Sequence, residues 1–102
     1  MITRPPRIDQ LEWDEWNLDH IQKHGVTVTE VAEVPISDAM YQTTYKNRIM
    51  VTGPTSSGRM LTIVVGESPY QRYRWYVFSA RPASRTERRD YADREAGGQP
   101  QP

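Results

Sequence analysis

The chain has 102 residues, which suits a single domain with one modest hydrophobic core. It has no cysteine, which excludes disulfide bonds and cysteine-ligated metals. Its 13 basic and 13 acidic side chains cancel, but residues 1–47 carry four basic and eight acidic side chains, whereas residues 48–102 carry nine arginines and five acidic side chains. Arginine binds phosphate well, yet a solvated surface explains the same distribution of charge.

No segment is long and apolar enough to span a bilayer. The first ten residues lack the apolar stretch of a secretory signal. We therefore expect a cytoplasmic protein with no membrane partner.

The first predicted helix covers residues 15–24. Asp14 has the side chain of a good N-cap. Gly25 suits the left-handed backbone that ends many helices. On this helix His20 and His24 lie one turn apart on the same face.

A second short helix is predicted to follow directly. Thr27 and Glu30 have the T-x-x-E spacing of a capping box. Pro35 is expected to end the helix, because the residue before a proline is pushed out of the helical region.

Four strands are predicted next, over residues 41–46, 48–53, 60–65 and 73–80. Short connections between them indicate an antiparallel meander. Strict alternation in the last strand predicts Trp75, Val77, Ser79 and Arg81 on one face and Tyr76, Phe78 and Ala80 on the other.

A final helix is predicted from Arg85, because Ser84 and Glu87 form an S-x-x-E capping box. The predicted fold is α+β, with two N-terminal helices, an antiparallel sheet of about four strands and a C-terminal helix. Residues 1–96 form one domain in this interpretation, and residues 97–102 are a disordered tail.

The two histidines allow three interpretations. Their i, i+4 spacing can bind zinc if a third ligand is present. They can also serve in acid–base chemistry near neutral pH. The third alternative is a helix-end histidine that is satisfied by a carbonyl or a carboxylate.

A cluster of arginines lies where the last strand passes into the final helix. Arg81 ends the strand, and Arg88 follows in the first turns of the helix. Cations near helix N-terminal amides attract phosphate. The alternative is that both arginines form structural ion pairs with Asp14, Glu87 or Asp90.

Several short motifs in the same order resemble the BrnT family of bacterial toxins. The resemblance covers about residues 11 to 95. The motif W-D-x-x-N-x-x-H-I-x-x-H-G-V-x-x-x-E-V is formed by Trp13, Asp14, Asn17, His20, Ile21, His24, Gly25, Val26, Glu30 and Val31, and it is followed by Gly58-Arg59, Ser79-Ala80-Arg81 and Glu87-Arg88 with Tyr91.

The resemblance implies a RelE-like ribonuclease that inhibits translation and is silenced by a ribbon-helix-helix antitoxin. It implies RNA cleavage through attack of the ribose 2′-hydroxyl, without a metal or cofactor. The implied catalytic residues are His24, with His20 as second candidate, Arg81 and Arg88. The implied RNA-binding residues are Lys23, Arg59, Trp75, Tyr76, Arg85 and Tyr91.

The chain also departs from the commoner pattern of that family. The spacing between Trp13-Asp14 and Lys23-His24-Gly25 is shorter by one residue, and His20 is an addition. A net charge of zero is unusual for a ribonuclease of this fold. These departures leave an alternative, in which the chain is an inactive module that binds a small partner protein.

Overall fold

A computed structural model describes residues 6–8 and 10–97 of the chain. It confirms the predicted α+β fold, with two N-terminal helices and a C-terminal helix around one sheet. The tail predicted over residues 97–102 lies outside the described residues, except for Gly97, where the last helix ends. In chain order the elements are β1 (Leu11–Glu12), α1 (Glu15–Lys23), α2 (Val28–Ile36), β2 (Met40–Thr44), β3 (Arg48–Pro54), β4 (Met60–Glu67), β5 (Trp75–Pro82) and α3 (Arg85–Gly97), with a 3-10 turn over Tyr45–Asn47.

The sheet has five strands in the order β1-β5-β4-β3-β2. The four long strands are antiparallel, as predicted, and their bounds differ from the predicted ones by at most two residues. The fifth strand, β1, pairs in parallel with the start of β5. Sequence analysis missed β1 because two residues are too few to show a period.

The capping residues fix α1 as predicted. The Asp14 carboxylate accepts a hydrogen bond from the backbone N–H of Asn17 at 3.0 Å, and the Asn17 side-chain oxygen accepts one from the Asp14 N–H at 2.8 Å. At the other end, Gly25 has a φ of +68°. That left-handed backbone ends the helix at the predicted place.

The prediction that Pro35 ends α2 is wrong, because the helix continues through it to Ile36. A proline this close to a helix end removes only one backbone hydrogen bond. The last turn is held instead by the fully buried Val34, whose carbonyl accepts bonds from the backbone N–H and the hydroxyl of Ser37 at 3.1 and 2.6 Å.

Helices α1 and α2 pack on one face of the sheet. The fully buried side chains of this layer provide the hydrophobic contribution to stability. They are Val31 and Val34 from α2 and Val51, Leu61, Ile63, Val65, Val77 and Ala80 from the sheet, with Ile21 of α1 almost as deeply buried.

A β-bulge in β5 changes the alternation of that strand. Val64 pairs with Ser79 and Val65 pairs with Val77, so Phe78 is an extra residue in the ladder. The prediction that Ser79 and Arg81 share a face with Val77 is therefore wrong. After the bulge Ala80 returns to the core face, and Arg81 lies on the opposite face.

Helix α3 covers one end of that opposite face. There Thr52 and Thr62 are fully buried and bond each other through their hydroxyls at 2.9 Å. The Thr62 hydroxyl also donates to the Glu87 carboxylate of α3 at 2.9 Å. Beyond α3 the same face of the sheet is open, and this open part forms the candidate site. In the described part of the chain, every helix is too short or too polar to cross a bilayer.

Candidate functional site

The open part of the sheet face forms a cavity of about 810 Å³. Helix α1 contributes Trp16 and His20 to its wall. The sheet contributes Arg48 and Arg81, and the β4–β5 loop contributes Tyr70. Residues that are far apart in sequence thus place an imidazole, two guanidinium groups and flat rings around one space.

The imidazole of His20 is held by aromatic contacts. It stacks on the Trp16 ring with centroids 4.9 Å apart and an angle of 8° between the planes. The His24 ring meets it edge-on at 5.4 Å. Among the described residues the cavity lining includes His20 but not His24, which is exposed at the end of α1. The rings of the two histidines are therefore neighbours, and His20 is the one that faces the cavity.

Arg81 forms an ion pair with Glu87, as one of the two sequence interpretations predicted. Its two terminal nitrogens donate to the two carboxylate oxygens at 2.7 and 2.8 Å. The Arg81 side chain keeps 35% of its surface exposed, so it also reaches the cavity. The paired geometry fixes the orientation of the guanidinium group.

Glu87 is the centre of a small polar network. Besides Arg81, it accepts hydrogen bonds from the backbone N–H of Ser84 and from the Thr62 hydroxyl. Hydrogen bonding from Arg81, followed by the bonds from Ser84 and Thr62, outweighs the effect of burial and lowers the pKa of Glu87 to about 2. The hydrogen bonds with Glu87 in turn raise the pKa of Arg81.

The sequence analysis did not select Arg48, the second cation of the cavity. Its guanidinium carbon lies 3.6 Å from the centre of the Phe78 ring and 5.6 Å from that of the exposed Tyr45. Such cation–π contacts keep the charge at the surface of the sheet. Gly66 makes room for Phe78, because a Cβ atom there would lie only 2.9 Å from the ring.

Tyr76 lines the cavity with its ring, but its hydroxyl is engaged. The hydroxyl donates to both oxygens of the Asp14 carboxylate at 2.9 Å. Burial first, and then this hydrogen bond, raise the pKa of Tyr76 to about 12. The neighbouring Trp75 is on the other side of the strand, packed against the hydrophobic core. The two aromatic residues expected to contact RNA thus lie on opposite faces.

Two further predicted RNA-binding residues make structural contacts. Arg59 donates to the Gly25 carbonyl at 2.9 Å and to the Glu30 carboxylate at 3.1 Å, which ties the β3–β4 turn to the start of α2. The Tyr91 hydroxyl donates to the Asp38 carbonyl at 2.8 Å and fastens α3 to the loop before β2.

The remaining predicted residues also lie away from the cavity lining. Arg88 donates to the Ala83 carbonyl at 2.7 Å, so it stabilises the start of α3. Lys23 pairs with Asp19 at 3.1 Å on the exposed face of α1. Arg85 is exposed in the first turn of α3. Of the ten predicted site residues, His20, Tyr76 and Arg81 line the cavity.

Among the cavity residues that sequence reasoning missed, one is a cation, Arg48, and three are exposed aromatic residues, Trp16, Tyr45 and Tyr70. The side chains of Trp16, Tyr45 and Tyr70 are 56%, 67% and 77% exposed, respectively. Large rings in otherwise polar segments were the available signal. The fold was needed to show that they surround one space.

The part of the chain that the structure describes contains no group of three or more histidine, aspartate or glutamate side chains placed to hold a metal ion. No family model, curated protein or solved structure matches this chain. The resemblance to the BrnT family therefore stays a prediction from the short motifs.

Proposed function

We propose that this chain is a ribonuclease toxin of the BrnT type that cleaves RNA in the cavity on the open sheet face. The observation that carries the proposal is the placement of His20 and Arg81 in one cavity together with Arg48. An imidazole beside two cations supplies the groups that cleavage by a 2′-hydroxyl requires. The exposed rings around them offer stacking surfaces for unpaired bases.

The proposed reaction needs one proton acceptor, one proton donor and positive charge. The ribose 2′-oxygen attacks the adjacent phosphorus, the bond from phosphorus to the 5′-oxygen breaks, and a 2′,3′-cyclic phosphate and a 5′-hydroxyl result. His20 accepts the proton of the 2′-hydroxyl, and water protonates the 5′-oxygen. Arg48 and Arg81 stabilise the negative charge that develops on the phosphate oxygens.

His24 is the alternative to water as the source of that proton. Its ring is edge-on to His20, so a small rotation of either ring changes their separation. In this assignment His20 contacts the RNA, and His24 delivers or removes protons from the side of the solvent. The resemblance implied His24 as the first catalytic candidate and His20 as the second, and this proposal reverses that ranking.

As a toxin the chain would act in the cytoplasm on RNA that is being translated. A ribbon-helix-helix antitoxin encoded beside it would silence it. Covering the cavity is the simplest way for such a partner to block RNA.

The direct test is induced expression of the chain in bacteria, followed by measurement of growth, protein synthesis and RNA integrity. We expect the wild type to arrest translation and to leave RNA fragments with 2′,3′-cyclic phosphate ends. His20→Ala and Arg48→Ala should each lower cleavage by about a hundredfold. Gln22→Ala, which changes an exposed residue of the same helix as His20, is the matched control and should remain toxic.

Arg81 is unsuitable as the first variant, because its removal leaves Glu87 without its cation and endangers the fold. Circular dichroism should show that all variants are folded. The proposal fails if the wild-type chain neither cleaves RNA when it is purified nor arrests growth when it is expressed.

One observation favours the alternative of an inactive partner-binding module. Both guanidinium groups of the cavity already have contacts, Arg81 with Glu87 and Arg48 with the Phe78 ring. In that case a partner protein fills the cavity, and the cations serve its recognition. Binding of the neighbouring gene product without any RNA cleavage would support this alternative.

A further inference from the structure

The loop between β4 and β5, residues 68–74, carries two of the most exposed aromatic side chains of the described chain. Tyr70 is 77% exposed and Tyr73 is 86% exposed. Arg72 and Arg74 are exposed in the same loop. Exposed rings interleaved with arginine are the composition of surfaces that bind single-stranded nucleic acid.

The backbone of this loop is ordered by hydrogen bonds. The Ser68 hydroxyl accepts from the N–H groups of Tyr70 and Gln71 at 3.0 and 3.1 Å and donates to the Glu12 carboxylate at 2.8 Å. The Ser68 N–H donates to the Arg74 carbonyl at 2.8 Å and closes the loop. Part of the polar backbone is thus paired within the loop, while the rings of Tyr70 and Tyr73 stay exposed.

Tyr73 has an unfavourable backbone conformation. Its φ is +63°, in the left-handed region that suits glycine and is uncommon for an aromatic residue. A glycine would fit this position better, so the fold does not explain the presence of a tyrosine. Local strain of this kind is often found at binding sites.

The loop also lines a second cavity, of about 650 Å³, which adjoins the first. Pro69 and Tyr70 belong to the walls of both. Arg72 and Arg74 line the second cavity, together with Arg7 and the acidic Glu67. Basic residues thus outnumber acidic ones along its wall, although the whole chain has a net charge of zero.

We infer that this loop binds the stretch of single-stranded RNA that flanks the cleaved nucleotide. Bases stack on Tyr70 and Tyr73, and phosphates contact Arg72 and Arg74. The strand then passes from the second cavity across Tyr70 into the first. The inference rests on the proposed RNA-cleaving function and extends it, because it defines the substrate as a single strand of several nucleotides rather than a dinucleotide.

The test measures binding of fluorescent 2′-O-methyl oligoadenylates, which cannot be cleaved, to the full chain by fluorescence anisotropy. One oligonucleotide has about three nucleotides and the other about eight, so that only the longer one reaches from the cavity onto the loop. Tyr73→Gly removes the ring and suits the left-handed backbone, so the fold is not at risk. Arg72→Ala with Arg74→Ala removes the two cations.

We expect the wild type to bind the longer oligonucleotide at least tenfold more tightly than the shorter one. Both loop variants should weaken binding of the longer one about tenfold and leave the shorter one unchanged. Asn47→Gly is the matched control, because it also replaces a left-handed residue with glycine outside the two cavities, and it should bind like the wild type. Arg89→Ala is the control for loss of an exposed arginine.

The outcomes separate the two proposals. If the wild type binds neither oligonucleotide, the proposed function fails. If it binds RNA and the loop variants bind both lengths as the wild type does, the inference about the loop is overturned and the function stands. The same proteins are also titrated with polyglutamate, as a probe for an acidic protein partner. If the loop variants lose polyglutamate binding and keep RNA binding unchanged, the inference about the loop is overturned, because the loop would then serve an acidic protein partner.

Discussion

Arg81 has two neighbours with different roles. The Glu87 carboxylate binds both terminal nitrogens of its guanidinium group, and the cavity adjoins the part of the side chain that stays exposed. The carboxylate limits the rotation of the group. A phosphate in the cavity would therefore meet an arginine whose orientation is already fixed, which lowers the entropy lost on binding.

The lowered pKa of Glu87 predicts how the free energy of unfolding depends on pH. Because the folded-state pKa is about 2 and the ordinary value is 4.5, the carboxylate stabilises the fold fully above pH 4.5. This contribution is lost as the pH falls toward 2, and we expect it to be about 2 kcal/mol after allowing for the partial exposure of Arg81.

Glu87→Gln should remove this part of the acid dependence. The measurement is the free energy of unfolding by urea between about pH 6 and pH 2. Asp90→Asn, which neutralises an exposed carboxylate of the same helix, is the matched control. A Glu87→Gln variant that keeps the wild-type difference between neutral and acid pH would contradict the assignment.

The two histidines predict different losses of activity. His20 lines the cavity, whereas His24 touches it only through the His20 ring. We expect His20→Ala to reduce RNA cleavage about a hundredfold and His24→Ala to reduce it about tenfold or less. Rates of cleavage of a short RNA by the purified variants measure this, and the reverse order of losses would assign the central role to His24.

Helix α1 is fastened to the sheet by one buried side chain. Asn17 is fully buried, and its amide nitrogen donates to the carbonyls of Glu12 and Val77 at 2.9 and 3.0 Å. Its oxygen caps the helix by accepting from Asp14. One residue thus joins α1, β1 and β5 and sets the position of His20 over the sheet.

Asn17→Ala should destabilise the fold by about 3 kcal/mol, because it leaves two buried carbonyl groups without donors and removes part of the cap. Urea unfolding of the variant measures this loss. Leu18→Ala, at an exposed position of the same helix, is the control and should change the stability by about 0.5 kcal/mol or less. Equal effects of the two substitutions would contradict the anchoring role of Asn17.

The elements show how much the sequence could predict. The helix starts at Asp14, Thr27 and Ser84 follow from local capping chemistry, and the structure bears out all three. The face of Arg81 does not follow from local chemistry. It depends on the bulge at Phe78, which the packing of neighbouring strands determines and which the alternating pattern does not reveal.

The candidate site could be predicted only in part for the same reason. The motifs indicated His20 and Arg81, which line the cavity, but also Arg59 and Arg88, which bond backbone carbonyls elsewhere. An arginine that binds a ligand and one that holds a turn look alike in sequence. The difference lies in the partners that the fold brings to each.

For the whole molecule, neutrality limits how RNA can be attracted. With a net charge of zero, long-range steering toward a polyanion is weak. Affinity must then come from local contacts. In the proposed function, an oligonucleotide too short to reach the β4–β5 loop would be held by the two cavity cations, Arg48 and Arg81.

The salt dependence of binding tests this count. Two phosphate contacts predict that the logarithm of the association constant falls with the logarithm of salt concentration with a slope of about −1.4. Titrations of the short 2′-O-methyl oligonucleotide at increasing salt give the slope. Arg48→Ala should bring it to about −0.7, and a slope that does not change would remove Arg48 from the phosphate contacts.

The extra residue in β5 also provides a criterion for comparing genes. Phe78 and Ser79 both face the cavity, between Val77 and Ala80 on the core face, so deleting Phe78 would restore simple alternation and leave every other side chain on its present face. The deletion would remove only the ring that contacts the Arg48 guanidinium group. A homologous gene with a one-codon gap at this point therefore encodes a strand that keeps Arg81 at the cavity but gives Arg48 no aromatic support from β5.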